Sequence, residues 1–329
     1  MSEPVTWIMP VKNGMDYLPL TLESIANQTY KNHSLLVWDN GSTDGTLEEL
    51  RRWIPSRIPG VIVADRPMSV GCSLAALVET ASTEFCARID ADDINLPERL
   101  ERQVSHMLKN PGIVALGSQV TLIDSNGIPT GAQWECPSDD AEVRWRTRWQ
   151  SGLTHPAVLF RKSAVLRAGN YADVKSEDCE LWIRLSRFGE MYSLPEVLLY
   201  YRRHAASISG PYTDFFLGQY RSACNAAPHL FCGLQPEEAL VLWRLTHPQR
   251  MEDPGRVSFR HLFQLERAAR LLATESGKPA DYFKASSTYQ AQIYWLRKNL
   301  LRRFGLSKLA SMRHYFHARM KTPESPNTP

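Results

Sequence analysis

Short apolar stretches alternate with amphipathic ones through roughly the first third of the chain. Continuous apolar runs predict buried strands, and apolar residues spaced three or four apart predict the helices between them. Strands that alternate with helices in this way predict an α/β fold, in which a mostly parallel sheet lies between helical layers. The predicted strands cover residues 5–9, 34–39, 60–65 and 84–90, and the predicted helices cover 18–28, 47–54, 73–81 and 97–110.

The pattern changes after Gly112, although no Gly/Ser-rich or Pro-rich linker separates the two parts. Strands at 113–124, 156–160 and 196–202, with a helix at 176–189, predict further mixed sheet on the same core. Beyond Tyr212 the pattern is almost purely helical, and it ends in a tail of disordered composition. The predicted organisation is one domain in two halves, a helical region and a tail, at 1–115, 116–212, 213–320 and 321–329.

Length and composition are those of an ordinary globular protein. The 329 residues, 43% hydrophobic and 22% charged, suit one large domain or two interlocked ones. A net charge of +3 gives no reason to expect nucleic-acid binding. No stretch approaches the roughly 20 apolar residues of a membrane span. The first residues lack a signal-peptide pattern, so we expect a cytoplasmic protein.

The cysteines show neither a C-x-x-C pair nor the spacing of a zinc site. Several lie in apolar or helix-like contexts, where a reduced thiol behaves as a small apolar side chain. We therefore expect reduced thiols rather than a disulfide framework. The six residues are Cys72, Cys86, Cys136, Cys179, Cys224 and Cys232.

Three of the predicted strands end in an aspartate, at Asp39, Asp65 and Asp90. Open parallel sheets bind ligands beyond the carboxyl ends of their strands. Agreement among three strands is more informative than any single aspartate. The pattern predicts a ligand site at this edge of the sheet.

The fourth strand is followed at once by a D-x-D-D cluster of Asp90, Asp92 and Asp93. Carboxylates at a strand end suit a hard divalent cation that also binds substrate phosphates. An acidic turn that caps the next helix is the alternative, and the bare cluster leaves both open. An EF-hand calcium loop is excluded, because Ile94 and Asn95 stand where that loop requires a ligand and a glycine.

The order of the motifs around this cluster resembles the family 2 glycosyltransferases. The matching motifs extend from about Pro4 to Ser209, and the helical C-terminal third has no match. The resemblance implies the GT-A fold, a nucleotide-diphosphate sugar donor and inversion of the anomeric centre. Residues 1–115 would bind the donor and 116–212 the acceptor. The motifs are "MPVKNG", "SIANQTY", "DNGSTDGT", "ARIDADDINLPERLERQ", "HPAVLFRK", "SEDCELWIRL" and "YYRRH".

The resemblance also implies roles for the acidic cluster and for the end of the "YYRRH" motif. Asp92 would be the principal ligand of a Mn²⁺ or Mg²⁺ ion. Asp90 would touch the ribose or a metal-bound water, and Asp93 would orient the metal or the donor sugar. Arg202 would close over the diphosphate, and His204 would bind the metal or a phosphate.

Donor binding in this family extends to the ends of the first two strands. The resemblance implies donor contacts from Pro10, Lys12, Asn13 and Asp39, and a weaker one from Asp65. A UDP-sugar is the favoured donor.

Two departures from the family pattern bear on donor specificity. Asn40 replaces a second acid beside the nucleoside, and Ala75 and Leu77 lie where Asn and Gly are common.

The "SEDCELWIRL" motif provides the catalytic residues that the resemblance implies. Asp178 would take the proton of the acceptor hydroxyl, with Glu177 in support. Both acids also suit the first turn of a helix, whose N-terminus should hold Asp178 rigidly and keep it ionised. His155 and Trp182 are candidate acceptor contacts, although the helical spacing of Trp182 also fits core packing.

Residues 289–321 carry eight Lys and Arg and no acid. An amphipathic helix of this composition suits peripheral binding to an anionic membrane, which would place the protein on the inner face of the plasma membrane. A helix packed on the catalytic domain is the equal alternative, and a homo-oligomer is also open. The apolar stripe of this helix comprises Ile293, Leu296, Leu300, Leu301 and Phe304.

These features together predict an inverting, metal-dependent glycosyltransferase of cell-surface polysaccharide or glycolipid synthesis. A non-catalytic scaffold that binds nucleotides or glycans is the alternative. A sugar nucleotidyltransferase is a second one, but such an enzyme should have a Gly-rich basic loop after its first strand. The sequence "MPVKNGMDY" contains no such loop.

Overall fold

The computed structural model describes residues 2–148, 151–204 and 258–304. The chain forms two compact units, Met1–Phe231 and Cys232–Pro329. The predicted boundary at 212/213, residues 213–257 of the predicted helical region and the tail at 321–329 lie outside the described residues.

Nine strands form one mixed sheet among the described residues, in the order β3-β2-β1-β4-β8-β6-β9-β5, with β7 paired to β6. Strand β1 pairs in parallel with both β2 and β4. The β2–β3 and β6–β9 pairs are also parallel, and the remaining pairs are antiparallel. The strands are β1 (Val5–Val11), β2 (His33–Asp39), β3 (Gly60–Asp65), β4 (Phe85–Arg88), β5 (Ile94–Asn95), β6 (Ile113–Ile123), β7 (Pro129–Trp134), β8 (Leu159–Arg161) and β9 (Glu190–Arg202).

Helices cover both faces of this sheet, as the alternating pattern predicts. They are α1 (Leu18–Ala26), α2 (Thr46–Trp53), α3 (Val70–Thr80), α4 (Arg99–Lys109), α5 (Asp140–Thr147), α6 (Lys162–Arg167) and α7 (Glu177–Leu185). A 3₁₀ turn, His155–Ala157, precedes β8.

The central strand β1 shows why the chain forms three layers. All seven of its residues are buried, and successive side chains of a strand point to opposite faces. Trp7 and Met9 belong to a core with residues of α1, α2 and α4. Ile8 belongs to a second core with residues of α3, α6 and α7. A strand buried on both faces is apolar over nearly its whole length, and Thr6 is the one polar residue of β1.

Some boundaries and elements differ from the sequence prediction. The strand predicted at 156–160 begins as the 3₁₀ turn, and β9 begins at Glu190 rather than 196. Helix α4 begins at Arg99, so Pro97 precedes the first turn rather than starting it. The sequence analysis did not predict β5, β7, α5 and α6, because they are short or largely polar and show no regular spacing of apolar residues.

The described part of the second unit contains α8 (Phe259–Glu275), a 3₁₀ turn (Tyr282–Ala285) and α9 (Ser287–Phe304). Helix α9 contacts both of the other two elements. Ile293, Leu296 and Leu300 of its apolar stripe are buried. Peripheral membrane binding and packing on the catalytic domain both stay predictions. Residues 305–321 lie outside the described ranges. No helix in the described part of the chain is both long and apolar enough to cross a membrane.

Four of the six cysteines lie in the described residues. Cys72, Cys86, Cys136 and Cys179 are free cysteines there. Cys224 and Cys232 lie outside the described residues.

Candidate active site

The carboxyl ends of β1, β2 and β3 meet at one edge of the sheet, because these strands are parallel and in register. Val11 pairs with Asp39, and Asp39 pairs with Asp65. Asp39 is 1% exposed, and its carboxylate accepts the Ser42 hydroxyl at 2.5 Å and the Ser42 backbone N–H at 3.2 Å. Asp65 is largely exposed and lies 3.8 Å from Arg51. The structure therefore brings these predicted donor residues to one edge but gives them very different surroundings.

The turns that follow β1 and β2 are interlocked at the same edge. The Asn13 backbone N–H donates to the Ser42 hydroxyl at 2.8 Å, and the Asn13 side-chain oxygen accepts the Thr43 N–H at 2.9 Å. Asn13 has a left-handed φ of 50°, which asparagine tolerates better than most residues. Pro10 is buried in β1, whereas Lys12 is exposed beside this turn. Hydrogen bonds between backbone N–H groups and side-chain oxygens of the two turns thus hold the predicted donor edge in shape.

The loop Asp90–Asp93, called the acidic loop below, follows the neighbouring strand β4. One carboxylate oxygen from each of Asp90, Asp92 and Asp93 lies within 4.8 Å of the others. Asp90 forms an ion pair with Arg88, and Asp92 lies 2.9 Å from His204 Nε2. The structure therefore brings these four predicted site residues together.

Neighbouring elements fix the backbone of the acidic loop. The Thr21 hydroxyl in α1 is placed to donate to the carbonyl oxygens of Ala91 at 2.9 Å and Asp93 at 2.8 Å. Arg202, at the end of β9, donates from Nε to the Asp92 carbonyl at 2.8 Å. The Arg202 guanidinium also lies 4.6 Å from the centre of the Tyr17 ring. Two elements distant in sequence thus hold the loop in one conformation.

Arg202 is buried against backbone carbonyl groups. Its side chain is 1% exposed, and Nη1 donates to the carbonyl oxygens of Asp124 and Ser125 at 3.0 and 3.1 Å. Its Nη2 is buried without a hydrogen-bond partner. Arg202 therefore anchors the acidic loop, and its predicted contact with the diphosphate stays a prediction.

The acidic loop concentrates negative charge where water is scarce. Burial, with the charge of Asp90 in addition, raises the pKa of Asp92. Burial raises the pKa of Asp93 well above its usual range, and the charges of Asp92 and Asp90 add to this effect. Asp93 accepts the Arg202 backbone N–H at 2.8 Å, while its second oxygen is buried without a hydrogen-bond partner. Converging carboxylates with an unpartnered oxygen fit a hard divalent cation, because such ions bind oxygen ligands and offset this charge.

The predicted catalytic acids begin α7. Ser176 precedes them with a left-handed φ of 64°. Asp178 accepts the Ser151 hydroxyl at 3.1 Å, and Glu177 Oε1 lies 3.8 Å from His155 Nδ1. The two acids thus face a small set of polar groups contributed by other segments.

Burial decides the proton affinity of this acid pair. It raises the pKa of Glu177 to about 7, with the charge of Asp178 contributing in the same direction. Burial also raises the pKa of Asp178, although its hydrogen bonds oppose the effect. Desolvation of Asp178 thus opposes the stabilisation of its charged form that the helix N-terminus is expected to provide. A carboxylate of raised pKa is a stronger base.

The charge of Arg88 acts on both groups of acids, and the sequence analysis overlooked this residue. Its side chain is 4% exposed and pairs with Asp90, and its positive charge also lowers the pKa of Glu177 and Asp178. An arginine inside the otherwise apolar run "FCARI" is the signal that could have identified it, since buried arginines require partners.

The two predicted acceptor residues differ in access. Trp182 is fully buried in the core formed with α3 and α6, so the prediction that it touches the acceptor is corrected to core packing. His155 is 9% exposed, and its ring packs edge-on against Trp182 at 5.7 Å. It lies beside Glu177, and its predicted contact with the acceptor stays a prediction.

Comparison with known proteins identifies the family. The model of "Glycosyl transferase family 2" matches residues 6–167. The chain is 32% identical over 192 residues to the amylovoran biosynthesis glycosyltransferase AmsE of Erwinia amylovora, a match covering 57% of this chain and 71% of AmsE. The chain belongs to glycosyl transferase family 2.

Two further similarities place this family 2 glycosyltransferase among known proteins. It is 35% identical over 124 residues to WfgD of Escherichia coli, named a UDP-Glc:alpha-D-GlcNAc-diphosphoundecaprenol beta-1,3-glucosyltransferase. That match covers 38% of this chain and 48% of WfgD. The crystal structure of S. aureus TarS 1-349 with UDP-GlcNAc aligns with a TM-score of 0.58 at 15% identity, covering 90% of this chain and 91% of that one. The predicted GT-A fold, a mixed sheet flanked by helices, is confirmed.

Proposed function

We propose that this family 2 glycosyltransferase moves a sugar from a nucleotide-diphosphate donor, with UDP-sugars favoured, to a glycan or lipid-linked acceptor and inverts the anomeric carbon. One observation carries the proposal. Arg88 pairs with Asp90 of the acidic loop, while its charge also acts on Glu177 and Asp178. A donor-type acidic loop and a candidate base thus both lie within reach of the charge of one buried side chain.

The names of the relatives support the substrate classes. WfgD is named for UDP-Glc and a diphosphoundecaprenol-linked sugar, AmsE for amylovoran biosynthesis, and the TarS crystal contains UDP-GlcNAc. By analogy, the acceptor is a sugar on a lipid diphosphate, and the product is part of a cell-surface polysaccharide. The reaction would then take place at the cytoplasmic face of the membrane.

Asp178 is the base in the proposed reaction. The acceptor hydroxyl attacks the anomeric carbon from the face opposite the diphosphate and gives its proton to the Asp178 carboxylate. The new carbon–oxygen bond forms as the bond between that carbon and the diphosphate oxygen breaks. The electron pair leaves with the nucleoside diphosphate. Glu177, whose pKa is also raised, supports Asp178 as a second proton-binding group. The Ser151 hydroxyl donates to Asp178 and fixes its orientation.

Asp92 and Asp90 are the proposed metal ligands, with His204 next to Asp92 and Asp93 behind them. A Mn²⁺ or Mg²⁺ ion held there would supply neutralisation of the charge that grows on the departing diphosphate. Before an ion binds, Asp92 is paired with His204, which keeps the carboxylate oriented. The protein holds the loop ready through Thr21 and Arg202.

A donor screen tests this function directly. The full chain is incubated with a panel of UDP-, GDP- and dTDP-sugars and a synthetic lipid-diphosphate sugar, with Mn²⁺, with Mg²⁺ or with EDTA. We expect one donor class to be used, only with a divalent ion, and NMR of the product to show the opposite anomeric configuration. Retention of configuration, or full activity in EDTA, would contradict the mechanism. Nucleotide binding without turnover for any donor would favour the scaffold alternative.

A further inference from the structure

A buried pair of aromatic residues lies behind Glu177. Tyr171 is 5% exposed, and its hydroxyl lies 2.9 Å from His155 Nε2. The other nitrogen of the same ring, Nδ1, lies 3.8 Å from Glu177 Oε1. The three side chains form a line from the protein interior to the proposed catalytic acids.

The chemistry of the ring restricts which nitrogen carries the proton. Burial, with the Arg88 charge in addition, lowers the pKa of His155 well below its usual value, so the ring is neutral. Burial raises the pKa of Tyr171 well above its usual range, so the phenol keeps its proton. A neutral imidazole has one N–H donor and one acceptor nitrogen. If Nε2 accepts the phenol proton, Nδ1 must carry the N–H.

The charges around His155 favour the same arrangement. Nδ1 faces the Glu177 carboxylate, with Asp178 next along the helix and Arg88 on β4 as the nearby cation. An Nδ1–H can donate to an ionised carboxylate, whereas a lone pair on Nδ1 would repel it. The opposite tautomer would also leave the Tyr171 phenol proton without this acceptor.

We propose that Tyr171 is a positioning residue, whose hydroxyl holds His155 in the Nδ1–H tautomer so that this N–H orients the Glu177 carboxylate beside Asp178. The inference rests on the proposed function, which places Glu177 and Asp178 at the acceptor. The 3.8 Å separation shortens to a hydrogen bond when the acceptor occupies the site, since catalytic hydrogen bonds are often long without substrate.

The segment that carries Tyr171 is itself fixed by α3. Asn170, at a left-handed φ of 61°, accepts the Tyr171 backbone N–H at 2.8 Å and donates from its side chain to the Ala75 carbonyl at 3.0 Å. A Cβ at Gly71 would lie 2.1 Å from the Ala172 carbonyl oxygen, so the helix and this segment touch backbone to backbone. Tyr171 therefore has a rigid support from which to hold His155.

The test reads the tautomer by NMR, independently of activity. The full chain is labelled with ¹⁵N-histidine and measured at a pH of about 8.5, where Glu177 is ionised. The His155 signals are assigned by their loss in His155→Gln. We expect Nδ1 to be protonated in the wild type and this preference to be lost in Tyr171→Phe. We also expect the variant to lose about tenfold in kcat, with the KM for the donor unchanged.

Tyr192→Phe is the matched control. Tyr192 stacks on His106 with ring centroids 5.4 Å apart, in a tyrosine–histidine pair on β9 and α4 away from the acids. The Tyr192→Phe variant should retain the His155 tautomer and kcat.

An Nε2–H tautomer or an imidazolium in the wild type would overturn the inference, even if Tyr171→Phe failed to fold. So would a Tyr171→Phe variant with unchanged tautomer and kcat. Absence of transfer by the wild type would instead contradict the proposed function, while the tautomer is still measured.

Discussion

Two groups of carboxylates lie in the first unit, and the protein supports them differently. The acidic loop is fixed through its backbone by Thr21 and Arg202, which leaves an oxygen of Asp93 without a partner. Glu177 and Asp178 are oriented through their side chains, by His155 and Ser151. Burial raises pKa values in both groups, but only the loop gathers three carboxylates within 4.8 Å. The difference suggests that one group is built for a dication and the other for a proton.

Removing a proposed metal ligand should give the largest effect. It tests the proposal that the acidic loop is built to bind a dication. Asp92→Ala is expected to lose about a thousandfold or more in transfer, together with the Mn²⁺ dependence of UDP binding in calorimetry. Glu98→Gln, an exposed acid paired with Arg102 on α4, is the control and should bind normally. Metal-dependent UDP binding that survived in Asp92→Ala would remove this residue as the principal ligand.

Replacing the proposed base tests the proposal that Glu177 and Asp178 are built to bind a proton. Asp178→Asn should bind UDP with unchanged affinity and lose transfer by about 10²–10⁴-fold, because the amide cannot accept the acceptor proton. Glu180→Gln in the same helical turn, paired with Arg184, separates this loss from a helix-dipole effect. Near-normal transfer by Asp178→Asn would leave the reaction without its assigned base.

Arg88 links the two groups, so its replacement should shift the pH dependence. The Arg88 charge lowers the pKa of both Glu177 and Asp178. In Arg88→Met these pKa values rise, so the acid limb of the kcat/KM profile should move to higher pH and activity should partly recover in alkaline buffer. A pH profile from about 5 to 9.5 measures this shift.

Arg161→Met and Arg88→Lys complete the Arg88 experiment. Arg161 pairs with the opposite end of β4 and donates to the carbonyls of Ile113 and Met107, so its loss perturbs the sheet without reaching the acids. We expect its profile to be unshifted and that of Arg88→Lys to lie between wild type and Arg88→Met. An unshifted profile for Arg88→Met would mean that the two groups act independently.

The smallest expected effect concerns stability. Burial raises the pKa of Glu177 to about 7, so folding takes up a proton and wild-type stability falls as pH rises from about 4.5 to about 7. Glu177→Gln removes this penalty and should raise the free energy of unfolding by about 1–3 kcal/mol at alkaline pH. Little gain is expected near pH 4, where the carboxyl is protonated in both states. Urea unfolding at both pH values measures the difference, and an equal gain at both would indicate a packing effect.

Much of the fold could be predicted because its central strands are buried on both faces. The runs Trp7–Met9 and Leu35–Trp38 are continuously apolar, and the helices of this region carry an apolar stripe. The spacing of apolar residues therefore identifies both the strands and the helices. The edge carrying Asp39, Asp65 and Asp90 followed from parallel pairing alone. Short or polar elements such as β5 and β7 were missed, since tertiary pairing rather than local preference creates them.

The sequence by itself determined the α/β architecture, the family and the positions of its acids, since these depend on local periodicity and ordered motifs. Only the tertiary structure decided what each polar side chain contacts. It made Arg202 an anchor of the acidic loop, buried Trp182, and placed Arg88 and Tyr171 near the acids of α7. Burial and through-space charge depend on residues far apart in the chain, and those distances exist only once the sheet has formed.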